Sequence, residues 1–236
     1  MSFTAIVPAR WQSSRFPGKP LVDIGGLPMV VRTALRAAEA ETIDRVVVAT
    51  DDRRVSDECQ RFGVEAIETS SEHATGTDRV VEASRLLGVD KVVNVQGDEP
   101  LIDPAFIDHM VRTLTGDSRA TVANTACLLP AGGLDDPNIV KVVVDQNEHV
   151  MALSRLPIPF SWGKEAVRLR HLGLYAFRGD ALENFTSRVR GPLEQAERIE
   201  MYRFLEYGDA IVLAQVDQAA PAVDVPEDVE KIRDYL

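Results

Sequence analysis

The stretch FTAIVPARWQSSRFPGKP, residues 3–20, begins with an apolar run, Phe3–Val7, that stops at Pro8 and gives way to a loop carrying Arg10, Ser13, Ser14, Arg15, Gly18 and Lys19. A short apolar run bounded by proline has the pattern of a buried strand. Beyond the loop, Met29, Val30, Thr33, Ala34, Ala37 and Ala38 recur at helical spacing, so residues 28–41 are predicted to form an amphipathic helix. Strand, glycine-bearing loop and helix make the first module of the chain.

The same grammar repeats. Asp44–Thr50 (DRVVVAT) reads as a buried strand, Arg54–Phe62 as a helix, Val64–Glu68 as a short strand and Asp78–Leu87 as a helix. Lys91–Gln96 (KVVNVQ) is the next strand, followed by helix Pro104–Leu114 and strand Ala120–Leu128. Strands alternating with helices imply crossover units and a mostly parallel sheet covered on both faces, a doubly wound, Rossmann-like α/β core. From Asn138 the pattern changes: NIVKVVVDQNEHVMALSR is two strand-like runs joined by the turn residues Asp145–Glu148, a hairpin signal. With strand His171–Phe177 it makes 138–178 a small β-rich lobe inserted in the core. Helices are then expected at Asp180–Thr186 and Leu193–Glu206, a strand at Ala210–Gln215 and a closing helix from Pro226. Without repeats, low-complexity segments or linkers, 1–236 reads as one domain.

Composition narrows the function. The 236 residues are 45% hydrophobic, enough for a substantial core, and 26 Lys and Arg against 37 Asp and Glu give a formal net charge of -11. Such a field repels nucleic acid polymers and anionic membranes, so an anionic ligand needs a local cationic site. Cys59 and Cys127 lie far apart in apolar or helical patterns, which suits free thiols in a reducing compartment. No apolar stretch has the length of a membrane span, and a soluble, cytoplasmic protein is expected.

In a doubly wound sheet ligands bind at the carboxyl ends of the strands, where the loop after Phe3–Val7 must lie. Arg10, Arg15 and Lys19 supply cationic donors, Ser13 and Ser14 hydroxyls, and Gly18 close backbone approach, an inventory matching a polyphosphate. A solvated basic loop is the alternative. The loop is neither G-x-x-x-x-G-K-[ST] nor G-x-G-x-x-G, which sets aside P-loop and dinucleotide binding. The second segment is VVNVQGDEP, 92–100, whose strand delivers Asp98 to the same rim, suited to hold Mg²⁺ with substrate phosphates or simply to start a turn before Pro100. Asp224 in AVDVPEDVEKI is a further carboxylate, either a metal ligand or a helix N-cap, the first only if its segment folds back over the site. HATGTDR, 73–79, offers a turn at Gly76 and a base-reading Arg79, or an ordinary helix start. In the lobe, Ser154 and Arg155 (ALSR) and Arg170, His171 and Tyr175 (RHLGLY) can bind a carboxylate and hydroxyls. The histidines have no H-x-x-x-H spacing, so zinc is not expected, and His109 and His149 receive no role.

In order, PARWQSSRFPGKPL, VVVATDD, HATGTDR, VVNVQGDEP, NIVKVVVD, ALSRLPIPF, RHLGLYAFR, LEYG and VDVPEDVE resemble the CMP-Kdo synthetase family, the 3-deoxy-manno-octulosonate (Kdo) cytidylyltransferases, over residues 3 to 232. The resemblance implies a homodimeric nucleotidyltransferase, with the 138–178 lobe serving acceptor binding and dimerisation. It implies transfer of CMP from CTP to the anomeric hydroxyl of an acidic sugar, with Mg²⁺ as cofactor and release of pyrophosphate. By the same resemblance Ala9, Arg10, Ser14, Lys19, Arg79 and Asp98 bind the nucleotide, Arg10, Lys19 and Asp98 being catalytic. Asp98 and Asp224 hold the metal, and Gln96, Arg155, His171, Tyr175 and Glu200 line the acceptor pocket. The acceptor hydroxyl attacks the α-phosphorus in line with departing pyrophosphate, a reaction of positioning and charge neutralisation without a covalent intermediate.

Three departures from the family pattern concern the acceptor. Glu200 is followed by Met201 where the family has an amide, the segment SWGKEAVRL before RHLGLY is short, and G-T-E-R appears as G-T-D-R. A thioether cannot donate a hydrogen bond. CMP transfer to 8-amino-Kdo, a small phosphonate or another carboxylic acid is therefore the alternative to Kdo.

Overall fold

The computed structural model describes residues 2–12, 16–163 and 166–236. Packing groups the chain into two compact units, one formed by residues up to Asp108 with Ala220–Leu236, the other by His109–Ala219.

The first unit opens with β1 (Phe3–Ala9), then β2 (Asp23–Ile24) and β3 (Leu27–Pro28), a short hairpin that leads into α1 (Met29–Ala37). β4 (Ile43–Thr50), α2 (Arg53–Arg61), β5 (Glu65–Glu68), α3 (Gly76–Leu87) and β6 (Val92–Asn94) follow, and α4 (Pro104–Gly116) contains the division at Asp108. β1 pairs in parallel with β4 in register Val7 to Val48, β4 with β5, and β1 with β6 in register Ile6 to Asn94. The strand order is thus β6-β1-β4-β5. β1 is apolar without alternation because both its faces are covered, which is what buries Phe3, Ala5, Ile6 and Val7 together. Local chemistry sets the helix starts. Asp52 accepts from the Arg54 amide at 3.0 Å ahead of α2, and Thr75 and Asp78 close a reciprocal capping box on α3, each accepting the other's amide at 3.2 Å.

The second unit contains β7 (Val122–Leu128), the hairpin β8 (Lys141–Val144) and β9 (Val150–Ser154), then β10 (Leu169–Phe177), α5 (Ala181–Ser187), α6 (Pro192–Glu197), α7 (Tyr202–Leu205) and β11 (Ile211–Gln215). β7 pairs in parallel with β11 and antiparallel with β10, and β8 pairs antiparallel with β9 and β10. The stretch 138–178 supplies β8, β9 and β10 of this unit. Asp145 makes the hairpin turn, its carboxylate accepting from the amides of Asn147 and His149. Lys141 is fully buried, and its ammonium donates to the carbonyls of Asp136, Ile139 and Arg155 at 3.0, 2.8 and 2.6 Å. Burial holds its pKa below the usual lysine range. The chain returns to the first unit with α8 (Pro226–Arg233).

The doubly wound α/β reading holds, with one correction. The expected helix Leu193–Glu206 is two helices, because Arg198 adopts φ 54° at the end of α6. The cause is tertiary. Arg155 Nε donates to the Glu197 carbonyl at 2.7 Å and Nη2 to the Arg198 carbonyl at 3.3 Å, while the Glu197 carboxylate accepts from Ser154 Oγ and the Arg155 amide. Carbonyls that a continuous helix would use internally are taken by Arg155, the residue after β9. β2, β3 and a 3₁₀ turn at Lys19–Leu21 are elements too short for a sequence pattern to register.

Arg203 on α7 and Glu194 on α6 form a buried pair, Nε to Oε2 2.9 Å, and Arg203 Nη1 donates to the Phe185 carbonyl at 2.8 Å. This cation ties α5, α6 and α7 together. Arg203→Met, which leaves the buried Glu194 carboxylate only the longer 3.5 Å contact with Arg190, is expected to cost about 3 kcal/mol of stability, and Arg203→Met with Glu194→Leu to recover most of it. Urea denaturation of the single and double variants measures both.

Candidate functional site

From β1 the order runs through β4 to β5 on one side, whereas β6 pairs on the other, so the strand order reverses at β1 and β6. Crossovers leaving such a point diverge and open a crevice beyond the carboxyl ends of the strands. A cavity of about 290 Å³ lies there, walled by the loop after β1, the loop after β6, the start of α3 and Asp224.

The loop after β1 turns back through Gly18, whose φ of 71° favours glycine, into the 3₁₀ turn that carries Lys19. There the Lys19 ammonium meets Asp98 Oδ2 at 2.7 Å and Asp224 Oδ1 at 3.9 Å. The segment before α8 folds over the site because the Val223 amide donates to the Asp98 carbonyl at 2.9 Å. Asp224 does not cap α8. That task falls to Asp228, whose carboxylate accepts the amides of Asp224 and Val225 and is held at a pKa of about 2, chiefly by Lys231. The Asp224 side chain is thereby left at the rim. Ala9, Arg10, Gln96 and Arg79 also line the cavity. Ser14, expected to bind nucleotide, lies outside the described residues.

Arg79 is almost fully buried. Its Nη2 donates to Asp51 Oδ2 at 3.0 Å and Nη1 to Thr69 Oγ1 at 2.5 Å. The other Asp51 oxygen accepts the Trp11 amide at 3.1 Å. Asp51 therefore fixes both the start of the β1 loop and the Arg79 guanidinium, a role sequence reasoning missed. Its signal was its place at the carboxyl end of β4, in VVVATDD. His73 was also passed over. It lines the cavity and is held by Glu82 of α3.

Asp98 and Asp224 both flank Lys19, and a pair of carboxylates completed by substrate phosphates is the donor set Mg²⁺ takes. Among the described residues there is no cluster of three or more metal-ligating side chains. The two carboxylates fit a metal shared with a bound phosphate.

The remaining expected residues, apart from Gln96, belong to the second unit. His171 and Tyr175 on β10 lie together, with Tyr175 Oη 3.4 Å from His171 Nε2 and ring centroids 5.7 Å apart. Burial, with the nearby Arg155 charge, pushes the His171 pKa down to about 4. Arg155 Nη1 donates to the Pro137 carbonyl at 2.7 Å, so its guanidinium is held by backbone carbonyls and not by a carboxylate. Glu200 sits on the turn before α7, and Met201 next to it is buried.

A parallel sheet with a cationic, glycine-bearing loop at its switch point defines the nucleotide-binding class of α/β proteins. A cytidylyltransferase family model matches residues 4–213. A 3-deoxy-manno-octulosonate cytidylyltransferase of Syntrophotalea carbinolica is 43% identical over 247 residues, covering 100% of this chain and 99% of that protein. One from Syntrophobacter fumaroxidans is 44% identical over 241 residues, covering 98% and 96%. Among solved structures, a CMP:2-keto-3-deoxy-manno-octonic acid synthetase complexed with CTP matches with a TM-score of 0.96 at 38% identity, over 100% of this chain and 98% of that one. The chain belongs to the 3-deoxy-manno-octulosonate cytidylyltransferase family. No helix among the described residues is long and apolar enough to cross a membrane.

At Gly97 the loop after β6 passes close against β1, since a Cβ there would stand 2.8 Å from the Pro8 carbonyl oxygen. Gly97→Ala is expected to destabilise the protein by about 1–3 kcal/mol, because backbone and not a side-chain tip must yield. A lowered urea midpoint at unchanged m-value is the signature.

Proposed function

We propose that the protein transfers CMP from CTP to Kdo, releasing pyrophosphate. The observation that carries this reading is the convergence of Lys19, Asp98 and Asp224 at the switch point of the parallel sheet, in a chain that matches a relative of the family along its whole length. In this reading Arg10 and Lys19 neutralise triphosphate charge, Ser14 adds a hydroxyl donor, and the strand-end backbone at Ala9 follows the nucleotide. Lys19 is positioned beforehand by Asp98, so little reorganisation accompanies binding. Arg79, clamped by Asp51 and Thr69, shapes the wall where the base lies and supports the turn at Gly76. Asp98 and Asp224 hold Mg²⁺, which when bound supplies charge neutralisation at the phosphates and acidifies the attacking hydroxyl.

For the acceptor, Arg155 supplies the charge that recognises a carboxylate, while His171, neutral at pH 7, and Tyr175 hydrogen-bond hydroxyls, with Gln96 and Glu200 as further polar contacts. Met201 is buried and brings no amide to the acceptor, which makes 8-amino-Kdo and a small phosphonate the competing acceptors. The enzyme works as a homodimer in the cytoplasm. Trp162 is 90% and Phe160 81% exposed, with ring centroids 6.1 Å apart, and Leu156 and Val167 are exposed in the same segment. Such side chains on a surface segment suit a second copy of the chain. The free, buried thiols Cys59 and Cys127 suit a reducing compartment.

Pyrophosphate release from CTP and Mg²⁺ with Kdo, 8-amino-Kdo, sialic acid and a small phosphonate tests the reading. Kdo is expected to give the highest kcat/KM, and CTP binding without release for any acceptor would refute transfer. Asp98→Ala should lose on the order of 10²–10³-fold in kcat with its circular dichroism unchanged, and full activity would remove Asp98 from the machinery. Light scattering should give twice the chain mass for the native protein and the monomer mass for Trp162→Glu.

A further inference from the structure

A regular strand rises about 3.3 Å per residue, which places the Cα atoms of residues four apart roughly 13 Å from each other. His171 and Tyr175 are four apart on β10, yet their ring centroids are 5.7 Å apart. The register with β7 shows the cause. His171 stands opposite Ala126 and Tyr175 opposite Asn124, so Leu172, Gly173 and Leu174 face Thr125 alone. This bulge removes strand length between the two side chains. Bulges beside functional sites re-aim side chains in this way.

One residue holds the bulge from below. Asn124 is 1% exposed in the middle of β7, with β11 on one side, where it is opposite Leu213, and β10 on the other. Its Nδ2 donates to the Leu172 carbonyl at 2.8 Å and to the Leu174 carbonyl at 3.1 Å, using both amide hydrogens on the two ends of the bulge. Its Oδ1 is buried without a hydrogen-bond partner among the described residues, so the donor fork is what the amide contributes here. A carboxylate of the same shape would turn acceptors toward two carbonyl oxygens, and an apolar side chain would leave both carbonyls unbridged.

We propose that Asn124 is a positioning residue of the acceptor pocket, whose amide clamps the Leu172–Leu174 bulge and so sets His171 and Tyr175 side by side. The inference rests on the reading of those two side chains as acceptor contacts, and it adds a buried residue that touches no substrate. Asn124 acts through β10, leaving the nucleotide side of the reaction unaffected.

The test compares Asn124→Leu, Asn124→Ser, His171→Ala and Tyr175→Phe with the native enzyme. Asn124→Leu is expected to raise the KM for Kdo by about 10-fold or more with the KM for CTP unchanged, since sub-ångström positioning is what it loses. The nuclear Overhauser contact between the His171 and Tyr175 rings should disappear in the same variant. Asn124→Ser retains one donor and is expected to fall between the two. Should the leucine variant not fold, the serine variant carries both readouts. A Kdo KM at the native value, a CTP KM that rises in step, or a ring contact that persists would each overturn the clamp. If His171→Ala and Tyr175→Phe leave the Kdo KM unchanged, the acceptor reading falls and the proposal with it. A raised KM in those variants beside a native KM in both Asn124 variants overturns the clamp alone.

Discussion

β1 is hydrogen-bonded in parallel to β4 on one edge and to β6 on the other, and the site of the first unit depends on that double pairing. Because the chain proceeds outward through β4 and β5 and then returns to β6, the loops leaving β1 and β6 part company at the carboxyl ends. The gap receives Lys19 from one loop and Asp98 from the other, and their 2.7 Å contact closes it across 79 residues of sequence. Gly97 permits the close passage of the two loops, and the Val223 amide draws in the segment that adds Asp224. In a chain of net charge -11, these arrangements keep a cationic donor facing a small cavity bounded by acids.

The second unit solves a different problem, that of keeping cations inside a protein. Lys141 gives its ammonium to three carbonyls and Arg155 gives its guanidinium to three others, whereas Arg203 and Arg188 have the bidentate carboxylate partners Glu194 and Asp209. Carbonyl dipoles satisfy hydrogen bonds without cancelling charge. The Arg155 charge adds to burial in depressing the His171 pKa, and it suits an acidic acceptor. It also explains why α6 ends where it does, since its last carbonyls serve Arg155.

Much of this was legible before the fold was known. β1 and the Val46–Ala49 part of β4 are apolar on both faces because helices cover the sheet, so each appears as an unbroken run, as does Val92–Val93 of β6, and Asp98 lies four residues beyond the end of β6. The loop with Lys19 was readable because three cations, a glycine and no acid are rare company in this chain. Asp51 was not, since an aspartate after a strand is as common in turns as in sites, and its two partners, Trp11 and Arg79, are distant in sequence. Asp224 was ambiguous for a similar reason, until Asp228 took the helix cap. The helix expected across 193–206 is broken because its pattern is helical while the carbonyls of Glu197 and Arg198 answer to Arg155.

The sequence by itself determined the order of strands and helices, the class of fold and the residue types available for phosphate and metal, because these follow from short-range periodicity and from charge, which are local properties. Only the tertiary structure decided which acids meet Lys19, that Arg79 is clamped, that Met201 is buried and that His171 and Tyr175 share one place on β10. These depend on contacts between residues that lie apart in the sequence, such as Lys19 with Asp98, Arg79 with Asp51 and Asn124 with Leu172. A bulge three residues long, held by one buried amide, leaves no periodic mark in the chain that contains it.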